Sequence, residues 1–147
     1  MNVRIVVADA RRAHFFDLSR LTGPLVEGEL MVNEYAGLKD TDLETDRPGR
    51  RFGGTSGHHH GVDGERSTER HEVANFARRV AERIDAARQG AEFEKLAIVA
   101  GPRMLGLLRN ELPQSCRNVV VAEVPKDLRD QDRNAIQGTV PADAFFH

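Results

Sequence analysis

The sequence predicts a single α/β domain built on a mixed sheet. Three observations carry that prediction. Two short, nearly continuous apolar runs, Val3 to Ala8 and Leu96 to Ala100, suit strands buried on both faces. One long stretch, Ser67 to Gln89, repeats apolar residues at steps of three and four, as an amphipathic helix does. The order strand, helix, strand from Leu96 to Val124 implies a parallel pair joined by a crossover. The chain has 147 residues, 39% of them hydrophobic and 30% charged, enough for one core and a polar surface.

Val3 to Ala8 is the first predicted strand, and Asp9-Ala10-Arg11-Arg12 turns the chain. Ala13 to Leu18 is the second, with Phe15 and Phe16 as its bulk. Thr22-Gly23-Pro24 signals a turn, and Leu25 to Val32 alternates loosely, as a strand near an edge does. Short connections make these three an antiparallel meander. Residues 33 to 66 show no sustained period and are expected to form a long flexible loop.

The helix after the loop carries Val73, Phe76, Ala77, Val80, Ala81, Ile84 and Ala87 on one stripe. Ser67 or Thr68 can cap its start, and Gly90 fits its stop. Leu96 to Ala100 is the next strand. Gly101-Pro102 opens a second helix with Met104, Leu105, Leu107, Leu108 and Leu112 facing the core, and Pro113 ends it. Asn118 to Val124 is the fifth strand, and Asp127 to Gln137 a short polar helix. Phe145 and Phe146 are expected to dock on the domain or on a partner. The domain spans residues 1–147, without internal repeats.

The net charge of −2 predicts no polyanion partner by itself, but the charges are segregated. From Glu27 to Asp46 there are seven acids and one base, Lys39. From Arg47 to Val62 there are three arginines, three histidines and no acid. Arg47, Arg50 and Arg51 can grip phosphate oxygens through bidentate hydrogen bonds. Gly53 and Gly54 let backbone N–H groups approach an anion closely. Phe52 can stack on a base or anchor the segment to the core. The segment is not a Walker loop, since no Gly-Lys-Ser or Gly-Lys-Thr follows the glycines.

His58, His59 and His60 invite a metal reading. Alternate residues of an extended segment share a face, so His58 and His60, with His71 as a third ligand, form a candidate site. Flanking glycines and the lack of a recognised ligand spacing favour the solvated alternative, and no cofactor is expected. Asp9 and His14 make a conceivable acid–imidazole pair, although an Asp at a strand end is ordinarily a turn-former. Ser56 lacks a nucleophile-elbow motif. Cys116, the single cysteine, excludes an internal disulfide and reads as a small, half-buried thiol. No stretch approaches a membrane span and no signal peptide is evident, so a cytoplasmic protein is expected.

Several words recur in a familiar order: Val7-Ala8-Asp9-Ala10-Arg11-Arg12-Ala13, Asp46-Arg47-Pro48-Gly49-Arg50, His71-Glu72 before Phe76-Ala77, Val99-Ala100-Gly101-Pro102-Arg103, and Val121-Ala122-Glu123-Val124. Together they resemble the bacterial host attachment protein family. That family looks like a relative of the middle domain of archaeal and eukaryotic class-one release factors. The resemblance implies a ribonuclease-H-like fold, a five-stranded mixed sheet with helices packed on it. The release-factor domain carries a Gly-Gly-Gln loop that enters the ribosome's catalytic centre. Here Gly53-Gly54 is followed by Thr55, which puts peptidyl-tRNA hydrolysis by that motif in doubt. The expected function is therefore non-catalytic binding of RNA, a tRNA or the ribosome through Arg47, Arg50, Arg51, Phe52, Gly53 and Gly54. The alternatives are a protein–protein interaction factor in host attachment and a hydrolase, metal-assisted or acting on peptidyl-tRNA.

Overall fold

Strand β1 (Val3–Ala8) is buried along its whole length because it has neighbours on both sides and layers on both faces. It pairs antiparallel with β2 (Arg12–Leu18), which pairs antiparallel with β3 (Leu25–Val32). On its other side β1 runs parallel to β4 (Lys95–Ala100), and β4 runs parallel to β5 (Val120–Val124). The sheet order is β3-β2-β1-β4-β5, so the meander and the parallel pairs share one mixed sheet with β3 at an edge, as the loose alternation of Leu25 to Val32 predicts. The structure, a computed structural model, describes residues 1–35, 58–129 and 131–145, the side chains of 58–67 excepted.

Helices α1 (His58–Gln89) and α2 (Pro102–Glu111) cover one face of the sheet. Phe76, Val80 and Ile84 from α1 and Met104, Leu105 and Leu108 from α2 pack on Val6, Phe15, Leu96 and Ile98. Every residue of the predicted α1 stripe is buried. The other face is covered more thinly, by α4 (Arg133–Gln137) and a 3-10 turn (Ala142–Phe145). Ile136, Val140 and Ala144 pack there on Val3, Ile5, Val7, Phe16 and Leu18, with Phe145 against the same cluster. Phe145 thus docks on its own domain, while Phe146 lies outside the described residues.

Several boundaries, and the burial of Cys116, differ from the sequence reading. α1 begins at His58, nine residues before Ser67, so the expected loop ends earlier and the proposed caps lie inside the helix. Two glycines, Gly61 and Gly64, speak against helix there, at about 1 kcal/mol each. Extending a helix that is already packed costs far less than nucleating one, because each added residue gains a hydrogen bond. Pro113 ends α2 but also starts a one-turn helix, α3 (Gln114–Arg117), which delays β5 to Val120. Among the described residues of the predicted polar helix, Arg133–Gln137 is helical and the stretch before it is not. Cys116 is fully rather than half buried, because α3 turns it into the main core. Among the described residues, no helix is long and apolar enough to cross a membrane.

Candidate functional site

The carboxyl end of β1 opens into a tight turn to β2. The N–H of Asp9 donates to the Arg12 carbonyl at 2.9 Å. The Asp9 Oδ1 accepts the N–H groups of Arg11 at 2.7 Å and Arg12 at 2.9 Å. Asn33, at the far end of β3, fastens the turn from the side. Its N–H donates to the Arg11 carbonyl at 2.8 Å, and its Nδ2 to the Ala10 carbonyl at 2.9 Å. Its Oδ1 accepts the N–H of Tyr35. Asn33 is only 1% exposed, and these bonds meet the requirement that a buried amide be satisfied. The turn therefore presents Arg11 and Arg12 outward on a rigid base.

Beside the turn lies a cleft of about 310 Å³ lined by Val7, Ala8, Asp9, Arg12, His14, Leu128, Arg129 and Gln131. Its far wall comes from the connection between β5 and α4. A second cleft of about 280 Å³ continues past Arg12 to Arg11, Leu30, Val32 and Asn33. Arg12 and Arg129 are exposed and, among the described residues, make no ion pair. Exposed guanidinium groups beside the apolar side chains of Val7, Ala8 and Leu128 can take an anion that also carries an apolar part.

Asp9 and His14 both line this cleft but do not form a pair. The carboxylate of Asp9 is held by the turn backbone, the turn-forming role expected of it. His14 is buried, and its Nε2 lies 2.9 Å from Oε2 of Glu27 on β3. Its ring stacks on Phe16 at 4.5 Å between centroids. Arg133 donates to the other oxygen of Glu27 at 2.7 Å and sits 5.2 Å above the Phe16 ring. This cluster ties α4 to the meander.

Arg47, Arg50, Arg51, Phe52, Gly53 and Gly54 lie outside the described residues, as does Ser56. His58 and His60 fall in the first turn of α1, where the backbone does not have the two-residue period on which a shared face rested. His71 is exposed on the same helix, roughly 16 Å of axis beyond His60 at the rise of an α-helix. Among the described residues, no group of three or more His, Cys, Asp or Glu side chains could hold a metal ion.

Cys116 donates its thiol to Oδ1 of Asp85 on α1 at 3.3 Å. Burial, then the neighbouring carboxylate, pushes the thiol from its ordinary 9.0 up to about 11. Asp85 is held below the usual carboxylate range, first by that thiol, with help from Gln89 and Arg88. A thiol so protonated at neutral pH is a packing group and not a nucleophile.

Arg12, Arg129, Gln131 and Asn33 escaped the sequence reading as site residues. The adjacent arginines after a buried strand were the available signal for Arg12. Arg129 and Gln131 lie more than a hundred residues away in sequence, and only the sheet brings them beside it.

A model of a family described as "Protein required for attachment to host cells" matches residues 4–140. The chain is also similar to an uncharacterized protein of Rickettsia prowazekii, RP470, with 33% identity over 72 residues. That stretch is 49% of this chain and 47% of the relative, so the match spans about half the relative's length. The family match takes in the whole sheet except the first residue of β1, both covering layers up to Val140, and both walls of the cleft, and the chain belongs to the family of proteins required for attachment to host cells.

Proposed function

We propose that this chain serves attachment as a non-catalytic binding protein whose ligand is RNA, alone or within the ribosome. The observation that carries the reading is positive charge gathered at one end of the sheet. Arg12 and Arg129 stand exposed there without an ion pair among the described residues. The acid-free run from Arg47 to Val62, with Arg47, Arg50 and Arg51, adds to the positive charge that the sequence can offer an RNA. Arginine forks on both sides of a groove suit a phosphate backbone, which dominates the affinity of nucleic-acid binding. The resemblance to a release-factor middle domain supports the same ligand class. With Thr55 in place of the glutamine, the reading is recognition without hydrolysis.

Filter binding or ribosome co-sedimentation with the full chain tests the proposal. Wild type should retain RNA at low salt and release it as salt rises. An Arg47/Arg50/Arg51→Ala variant should bind at least about tenfold more weakly, given the strength of charge-assisted bonds. Equal retention of the two proteins at low salt would sink the idea.

A second reading rests on a separate observation. Val26, Leu30 and Val32 on the edge strand β3 are 57%, 48% and 51% exposed. An open edge with apolar side chains can take an added strand from a protein partner. A Val26→Glu variant that keeps RNA binding in these assays but abolishes attachment by bacteria carrying it, counted in an adhesion assay, would favour this second reading.

A further inference from the structure

We infer that the cleft between the β1–β2 turn and the β5–α4 connection is a discrete site for a nucleoside 5′-phosphate, either free or as the 5′ end of an RNA. The inference deepens the RNA reading above but uses different residues, Arg12, Arg129 and Gln131, and not the segment from Arg47 to Gly54.

Four observations meet at this place. First, among the described residues the lining carries two arginines and one carboxylate, and that carboxylate already accepts two backbone N–H groups. Among these described residues the remaining balance is positive, and both guanidinium groups are uncommitted. A phosphate monoester, with about −1.5 to −2 charge at neutral pH and three acceptor oxygens, answers two arginine forks better than a single carboxylate does. Second, Val7, Ala8 and Leu128 give the otherwise polar lining an apolar part, against which a ligand's apolar portion can rest.

Third, the size is selective. At about 310 Å³ the cleft stands at the lower end of small-ligand sites and has room for one nucleotide-sized group. The adjoining cleft of about 280 Å³ shares Arg12 and offers Leu30 and Val32 as an apolar shelf for a base. Gln131 supplies an amide that can donate or accept at the ligand's edge. Fourth, the base under Arg12 is rigid. Asp9 from below and Asn33 from the side hold the turn through hydrogen bonds of 2.7 to 2.9 Å. A preorganised turn loses little freedom on binding, which favours a small ligand with few contacts. His14 forms part of the wall, with its Nε2 committed to Glu27.

Isothermal titration of the full chain with adenosine 5′-monophosphate, adenosine, inorganic phosphate and acetate tests the inference. The monophosphate should bind at least about tenfold more tightly than adenosine, and phosphate should compete with it where acetate does not. Arg12→Ala and Arg129→Ala should each weaken the monophosphate about tenfold or more. Both residues are exposed, so both variants should melt within a few degrees of wild type. The Arg47/Arg50/Arg51→Ala variant should keep the monophosphate.

A matched pair of short RNAs, with 5′-phosphate and with 5′-hydroxyl ends, separates the two sources. Preference for the phosphorylated RNA over the mononucleotide assigns the RNA end, and equal binding assigns the free nucleotide. Equal binding of adenosine and its monophosphate, competition by acetate as strong as by phosphate, or unchanged affinity in both arginine variants overturns the inference. The last outcome, together with loss of RNA binding in the triple variant, would leave the broader RNA reading standing without this site.

Discussion

Cys116 shows how one residue's role follows from its surroundings. Its thiol sits in the main core and donates to Asp85, which also accepts from Gln89 and Arg88. The folded state therefore holds the thiol proton more tightly than the unfolded chain does. Its contribution to stability is complete below pH 9.0 and is lost as pH rises toward about 11. Melting temperature measured from pH 8 to 11 should fall more steeply for wild type than for Cys116→Ala. Parallel profiles would contradict this account. Arg4 illustrates the converse case, a charge inside the central strand. It is 9% exposed and is held by Asp17 at 2.8 and 3.0 Å and by Glu92 at 3.0 Å. The same arginine, through its hydrogen bond, is the main reason the Glu92 carboxyl is held below its ordinary range. The apolar run Val3 to Ala8 predicts the strand, but not the partners that let a guanidinium lie within it.

At the scale of elements, β3 and α2 give opposite lessons about glycine. The β2–β3 pairing shifts register between His14 and Phe16, which leaves Gly28 and Glu29 opposite Phe15. A Cβ on Gly28 would stand 3.2 Å from the Phe15 carbonyl oxygen. That oxygen belongs to the ladder and cannot move without disturbing it, so this bulge needs glycine. Gly106, inside α2, has nothing within 4 Å of where its Cβ would be. Gly28→Ala should lower stability by about 1 kcal/mol, while Gly106→Ala should raise it by about 0.5–1 kcal/mol. Chemical denaturation of both variants checks the pair, and the same sign for both would be the wrong result. α1 adds the lesson about boundaries. Its packed stripe from Val73 to Ala87 was legible by period alone, whereas its first nine residues carry no such pattern.

At the scale of the molecule, the two faces of the sheet are unequal. Two helices and a broad cluster cover one face, and a short C-terminal segment covers the other. Ile136 is the fully buried side chain that this segment sets against the sheet face of Ile5, Val7 and Phe16. Gln137 secures the segment by donating to the carbonyls of Leu21 and Gly23 at 2.9 and 2.8 Å. Ile136→Ala should therefore destabilise the whole domain by about 3 kcal/mol, read as a single cooperative transition. Destabilisation under about 1 kcal/mol would mean that this face is held mainly by other contacts. The connection that leads into this segment also shapes the cleft. Among the described residues, Leu128, Arg129 and Gln131 form one wall of it beside the strand ends at Ala8 and Arg12.

What the sequence determined by itself is the α/β class, the central strands, the edge position of β3 and the core stripe of α1. Each of these follows from hydrophobic period, which is a local property and survives without knowledge of partners. The likeness to the attachment family was also legible, in short words spread along the chain, and the family match over residues 4–140 agrees with it. Only the tertiary structure decided that β1 lies between β2 and β4, that Glu27 and not Asp9 partners His14, and that Cys116 is a core thiol. It alone brought Arg12 and Arg129 to one cleft, across an interval of sequence that no local pattern bridges. Such a site is made by strand order and crossover, and its residues acquire a common meaning only when the sheet sets them side by side.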